Sequence, residues 1–352
     1  TVVFDIYPEN HIPSYQYYWE IVGDLDPELV NGETSGTMSF SSDGSARLEI
    51  ETLTDEFVDG DKTIQLVFKL RAESTSELSR SDEVTISYST HPIGQHLQVA
   101  AESRTWVVPD DVTEISVVAI GAGQGSNGVF YGRGGNGGDL RWRNKLPVVP
   151  GETLELVVGR GGTNNADIGV RKGGDTLIKR NGTVLLKAAG GGSIGSTQYS
   201  SVVGGGNGGK GALGGDEVGP GGGGGAGGYS GDGGDGGNRL IDAKPGEGGA
   251  GGGGAYYLTG GSSPSHHSTS GGGVGVYGQS DDGVAGTRDD PNLGGGGGSG
   301  GTTGTWIGGG IYGSGGRGQS SNNSFGKVNG SNGALYLVWG PGRLFPNERI
   351  VL

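Results

Sequence analysis

The glycines of this chain recur every three residues, and that period limits what the chain can become. Of its 84 glycines, five lie before residue 91 and the rest follow. From Gly221 the sequence runs GGG GGA GGY SGD GGD GGN, ending at Asn238. Two places of each triplet are nearly always Gly; the third varies. A flexible linker has no reason to keep such a phase. A polyproline-II helix has three residues per turn, so the phase lines two of its edges with Gly and leaves the third for side chains. Such a helix makes no internal hydrogen bonds, and its buried N–H and C=O groups must pair with neighbours. Glycine on two edges lets neighbouring backbones approach closely enough to do so. Ordering Gly costs about 0.5–1 kcal/mol more than ordering Ala, which only a cooperative lattice of inter-helix bonds offsets over so many residues. Collagen carries Gly at every third position and is rich in Pro. Here Gly fills two places in three and the whole chain has 13 Pro. The pattern therefore predicts packed polyglycine-II helices rather than a collagen triple helix.

Composition sets the remaining bounds. A length of 352 residues suits two or three domains. Hydrophobic residues make up 31%, dense before residue 190 and sparse after it. The net charge of −14 has the wrong sign for a nucleic-acid surface. With no Cys, disulfide frameworks and thiolate metal sites are excluded. No apolar run approaches the roughly 20 residues of a membrane span, so no membrane insertion is expected. No signal peptide is visible. The chain begins at Thr1 and its one Met is Met38, which reads as a processed product or a fragment.

Residues 1–92 read as a β-sandwich, a spacer or attachment module. Alternating stretches at Tyr15–Ile21, Gly36–Phe40, Ala46–Thr52, Thr63–Leu70 and Glu83–Tyr88 are separated by turn-like segments such as Asp43-Gly44 and Asp59-Gly60-Asp61. The run from Ser35 through Thr54-Asp55-Glu56-Phe57-Val58-Asp59-Gly60-Asp61-Lys62 resembles a Calx-β-like module. That family usually has a Glu after the Gly-Asp pair; here Lys62 stands there, and acidic turns at a sandwich end are the better reading than a calcium site.

Residues 96–352 read as a second, glycine-rich domain. Strand patterns occur at His96–Ala101, Thr105–Val108, Glu114–Ile120, Leu140–Arg143, Thr153–Val158, Asp175–Lys179 and Thr183–Lys187, with Asn181-Gly182 a type I′ hairpin signal. Glycine excursions at Gly132–Gly138 and Gly159–Gly162 interrupt them. Glycine runs then dominate from about Gly190 to Gly333, and Ala334–Trp339 is a closing strand. The expected framework is thus 96–190 plus 334–340, with the helix bundle inserted mainly over 190–333.

Three ordered segments carry a family resemblance. Trp106–Gly121 (WVVPDDVTEISVVAIG), Val149–Gly162 (VPGETLELVVGRGG) and Gly333–Pro346 (GALYLVWGPGRLFP) resemble glycine-rich domains of bacteriophage tail-fibre proteins. The resemblance implies a mainly β fold: a jelly-roll-like framework carrying polyglycine-II helices, with essentially no α-helix. It also implies a virion-surface adhesin at the distal tip of a tail fibre. Its partners would be other tail-fibre subunits and a bacterial outer-surface receptor, either an outer-membrane protein or a surface glycan. The extracellular glycine-rich domain of an animal receptor kinase is similar in plan, so fold does not fix function. A structural virion component without receptor binding, and an extracellular ligand-binding domain, stay open.

On a rigid scaffold, recognition belongs to the irregular connections. The candidate receptor-binding residues are Phe130 and Tyr131; Tyr256, Tyr257, His266 and His267; Asp281, Asp282 and Arg288; Trp306 and Tyr312; Asn323 and Phe325. Aromatic anchors among Ser, Gly and Asn match the composition of binding loops. For Trp306 and Tyr312, packing is as good a reading as recognition. Packing or simple exposure suits Tyr229, and strand cores suit Trp106, Trp142 and Trp339. The His266-His267 pair lacks a third ligand at metal-site spacing. GxGxxG matches are produced by any glycine run, and Gly297–Gly301 fits GxSxG without a strand-turn-helix context. No catalytic constellation, metal or cofactor is expected.

Overall fold

The computed structural model describes residues 2–6, 15–23, 30–31, 33–41, 45–52, 60–72, 74–88, 93–127, 131–165, 167–193, 196, 203–258, 265–287, 294–305, 308–318, 328–340 and 342–347. The chain forms two compact units, Thr1–His91 and Pro92–Leu352.

The first unit holds β1 (Val2–Ile6), β2 (Gln16–Gly23), β3 (Val30–Asn31), β4 (Ser35–Ser39), β5 (Ala46–Thr52), β6 (Gly60–Lys69), β7 (Glu77–Arg80) and β8 (Val84–Tyr88). They make two antiparallel sheets, ordered β1-β5-β3 and β4-β2-β6-β7, with β8 also paired to β6. Tyr17, Trp19, Ile64, Leu66 and Phe68 alternate along β2 and β6 and meet Phe4 and Ile50 of the other sheet in one core, the period of two that a half-buried strand requires. β7 is exposed along its whole length and carries no apolar alternation to read. Gly60 and Asp61, expected at a turn, lie inside β6 opposite Tyr88 and Ser87.

The second unit holds β9 (Gly94–Gln98), β10 (Ser103–Val107), β11 (Glu114–Ile120), β12 (Leu140–Pro147), β13 (Thr153–Val157), the one-turn α1 (Ile168–Arg171), β14 (Thr176–Arg180), β15 (Thr183–Ala188), β16 (Val203–Gly204), β17 (Ala255–Leu258), β18 (Ser265–Ser268) and β19 (Ala334–Trp339). The fold is mainly β. A four-stranded sheet, β10-β13-β14-β15, and a five-stranded sheet, β16-β12-β11-β19-β9, form the framework. Asn181 and Gly182 turn the β14–β15 hairpin at φ 49° and 79°, as the Asn-Gly pair requires.

β11 explains the layering. Val117 and Ala119 face a core with Leu154, Leu156, Ile178, Leu186, Leu335 and Leu337. Val118 and Ile120 face the opposite way, toward Tyr336, Val338, Ala226, Tyr229 and Val274. Both faces of the five-stranded sheet are covered, one by the other sheet and one by the glycine-rich segments. That is why β11 reads as a continuous apolar run rather than an alternating one.

The third layer is the glycine lattice, and the segment 221–229 shows its rule. Gly221, Gly224 and Gly227 donate to the carbonyls of Gly132, Gly135 and Gly138; Gly222, Gly225 and Gly228 donate to Gly237, Gly234 and Gly231. Gly223 and Ala226 donate to Thr269 and Gly272 on a third side. Each place in the triplet serves a different neighbour, as a threefold helix demands. A Cβ on Gly222, Gly224 or Gly225 would stand 1.9, 2.0 or 1.9 Å from a neighbouring carbonyl oxygen. The lattice is wider than the inserted run. Gly123 N–H donates to Ser331 O, Gly162 N–H to Gly123 O, and Gly173 N–H to Gly191 O. Glycine excursions between framework strands therefore belong to the bundle, because β11 and β12 continue directly into its helices.

Candidate functional site

The third place of the triplet does two jobs. Inside the bundle it is small or aimed at the sheet: Ala226 and Tyr229 are buried, and the Tyr229 hydroxyl donates to Gly275 O at 3.3 Å and accepts from Gly278 N–H at 3.1 Å. At the bundle's edges it carries Asp or Asn, whose side chains replace a missing glycine neighbour. Asp232 and Asp235 accept from the N–H groups of Asn207 and Lys210 at 2.7 and 2.8 Å. Asp139 and Asn136 accept from Gly208 and Gly211 at 2.9 and 3.0 Å. Asn332 and Asn329 accept from Gly161 and Asn164, both at 2.9 Å. These acidic and amide residues close the lattice, which removes much of the glycine region's polarity from the list of recognition groups.

What remains sorts to the two ends of the bundle. From Gly221 to Tyr229 the backbone spans about 25 Å at the polyglycine rise of about 3.1 Å per residue. At the Gly221 end, Gly221 N–H donates to Gly132 O, Gly318 N–H to Gly221 O, Gly223 N–H to Thr269 O and Thr269 N–H to Gly254 O. Ser268 Oγ donates to Gly318 O at 3.1 Å. Ser270 N–H donates to Thr305 O, Gly294 N–H to Gly304 O and Thr305 N–H to Gly308 O in the adjoining lattice rows. At the Tyr229 end, Trp142 Nε1 donates to Tyr229 O at 3.0 Å, tying that end to β12 and the five-stranded sheet.

The candidate residues divide between these ends. Tyr131, at φ 48°, adjoins Gly132 at the end remote from the sheet. Tyr256 and Tyr257 pair with His267 and His266 in the β17–β18 ribbon, which rises from Gly254 and Thr269 at that same end. The sequence treats this stretch as an irregular connection; it is an antiparallel ribbon at its base, and His267 is buried there. Asp281, Asp282 and Tyr312 lie at the other end. Asp282 Oδ1 accepts from Gly248 N–H at 2.8 Å, capping a turn in which Gly248 has φ 80°. Asp281 O accepts from Ser299 N–H at 2.8 Å. Tyr312 is partly buried against the cluster that contains Val118, Ile120 and Tyr336; burial and then the neighbouring Tyr277 push its hydroxyl up from the ordinary tyrosine value. Phe130, Arg288, Trp306, Asn323 and Phe325 lie outside the described residues.

Sequence reasoning passed over one element of the remote end. Asn238 is buried, and its side chain organises the turn Asn238–Ile241. The signal was present: the sixth triplet ends at Asn238 and the run breaks into Arg-Leu-Ile-Asp. Among the described residues, no three His, Cys, Asp or Glu side chains gather as a metal site, and no helix is long and apolar enough to cross a membrane.

A family model described as a glycine-rich domain matches residues 98–340. The chain belongs to the glycine-rich domain family. The match covers most of the β framework and the lattice together, and lies within the second compact unit, Pro92–Leu352. Comparison with curated proteins finds no match.

Proposed function

We propose that this chain is a virion-surface adhesin of a bacteriophage tail fibre, binding a receptor on the bacterial surface through the connections at the remote end of its polyglycine-II bundle. The observation that carries the reading is convergence. The described residues next to 128–130, 259–264, 288–293, 306–307 and 319–327 belong to that one end. The sequence between them holds Phe130, Trp306 and Phe325 among several Ser and Asn, with Tyr131, Tyr256, Tyr257, His266 and His267 close by in the chain, the residue types of adaptable binding surfaces. A backbone-bonded lattice with almost no side chains is a stiff mount for such loops, and rigid presentation lowers the entropic cost of binding. The tail-fibre resemblance of Trp106–Gly121, Val149–Gly162 and Gly333–Pro346 supplies the virion context. The test is adsorption of particles whose fibres carry residues 259–264 and 306–307 exchanged for unrelated sequence, leaving the lattice residues on either side unchanged. Adsorption should fall to background while particles still assemble. Wild-type adsorption and host range would overturn the reading.

A further inference from the structure

We propose that Leu213, Leu240 and Ile241 form the apolar centre of the receptor-binding end, and that they fit a protein surface with an aliphatic hollow rimmed by basic side chains. This rests on the adhesin reading above and names the contact surface and the chemistry of its partner.

Leu213, Leu240 and Ile241 are 64%, 65% and 61% exposed. A single exposed apolar side chain is ordinary, but an adjoining group marks an interaction surface. The backbones of these three adjoin because Asn238, only 3% exposed, bonds all of them. Its Nδ2 donates to Leu213 O at 3.1 Å, and its Oδ1 accepts from Leu240 N–H and Ile241 N–H, both at 2.9 Å. Asn238 N–H donates to Ile241 O at 2.8 Å, and Arg239 N–H to Val218 O at 3.1 Å. The base of the turn is locked into the lattice by Gly236 N–H on Lys210 O and Gly237 N–H on Gly253 O. The aliphatic group is therefore displayed in a preset shape. It lies at the remote end: a Cβ on Gly214, next to Leu213, would stand 2.2 Å from Tyr131 O.

The surroundings select the partner. Asp216, Glu217 and Asp242 are exposed near the group, outnumbering Arg239 of the turn and exposed Arg133, which adjoins Gly134, the donor to Ala212 O; the Lys244–Asp235 ion pair and Lys210 lie further back along the helices. An acidic rim around an aliphatic centre complements a basic rim around an aliphatic hollow and steers encounter with it. A second copy is disfavoured because two like-charged surfaces repel in a chain of net charge −14. Aliphatic side chains also offer no aromatic face on which a sugar ring would stack.

The test is the adsorption rate of intact particles on susceptible cells. Leu240→Ser with Ile241→Ser should adsorb at least tenfold more slowly at unchanged melting temperature; Leu213→Gln, on the far side of Asn238, should slow adsorption in the same direction. Asp216→Lys with Glu217→Lys should slow adsorption severalfold at low salt, with the difference shrinking at high salt. Protease treatment of the cells should abolish adsorption, and periodate treatment should spare it. If the exchange at 259–264 and 306–307 abolishes adsorption while the Ser and Gln variants adsorb normally, the surface is wrong and the adhesin reading stands. If neither the exchange nor the variants change adsorption, the adhesin reading itself falls. Loss after periodate with survival after protease would overturn the protein partner.

Discussion

In the framework, Val117, Leu156, Ile178 and Leu335 are wholly buried, and their side chains hold two sheets apart at the usual spacing of about 10 Å. In the bundle, Gly222, Gly224 and Gly225 are buried as deeply, yet nothing separates one backbone from the next. The framework is stabilised by apolar surface removed from water. The bundle gains little from that source and depends on peptide groups bonding to peptide groups. Each such bond contributes only about 0.5–1.5 kcal/mol net, so the lattice holds by number and cooperativity. The two layers should therefore respond differently to the same kind of damage: the framework to lost volume, the bundle to gained volume.

The largest effect should come from adding atoms to the lattice. Gly225→Val places a Cβ about where Ala250 O stands, at 1.9 Å. We expect a cost above about 4 kcal/mol, the range of severe overpacking and lost hydrogen bonds, with fast amide exchange at Gly209, Gly225 and Ala250. Native-like exchange protection there would break the comparison. Removing atoms from the sandwich comes next. Leu335→Ala, at a site of no exposure, should cost about 2–5 kcal/mol, read as a lowered melting temperature.

A smaller effect tests the lattice edge. Asp235→Ala deprives Lys210 N–H of its acceptor and Lys244 of its ion pair. Because the side chain is half-exposed, about 1 kcal/mol is expected, with exchange rising at Lys210 rather than at Gly225.

The smallest sits in the framework and depends on pH. Burial raises the Glu152 carboxyl, but hydrogen bonds from Arg180 and Val149 N–H, together with the Arg180 charge, outweigh it and hold the group below its ordinary value. A depressed carboxylate contributes stability above its unfolded value and loses it as pH falls through the folded one. The melting temperature should thus drop on acidification below the ordinary carboxylate range, and Glu152→Gln should flatten that part of the slope. An unchanged slope would remove the Arg180–Glu152 fork, at 2.7 and 2.8 Å, from the account.

Much of this architecture could be read from local pattern. Glu114–Ile120, Ala334–Trp339 and Ala46–Thr52 were legible as strands, since apolar β-branched runs and alternation are local properties. The triplet of 221–238 announced helices of three residues per turn for the same reason. The candidate site was less legible. Asp281 and Asp282 look like loop charge in sequence, yet Asp282 caps the turn at Gly248, and Tyr312 packs on the sheet. The turn at Asn238–Ile241 was hidden because its importance lies in contacts with Leu213 and Val218, far away in sequence.

The sequence by itself determined that the glycines would form threefold helices and that the apolar strands would form sheets, because both follow from periods within a few residues. Only the tertiary structure decided which helix adjoins which, that glycines of 121–127, 131–139, 159–165 and 167–174 join the bundle, and which Asp and Asn residues close its edges. It also decided which described segments of the bundle share an end. Those outcomes depend on which carbonyl a given N–H meets, and a helix with no internal hydrogen bonds leaves that choice entirely to its neighbours.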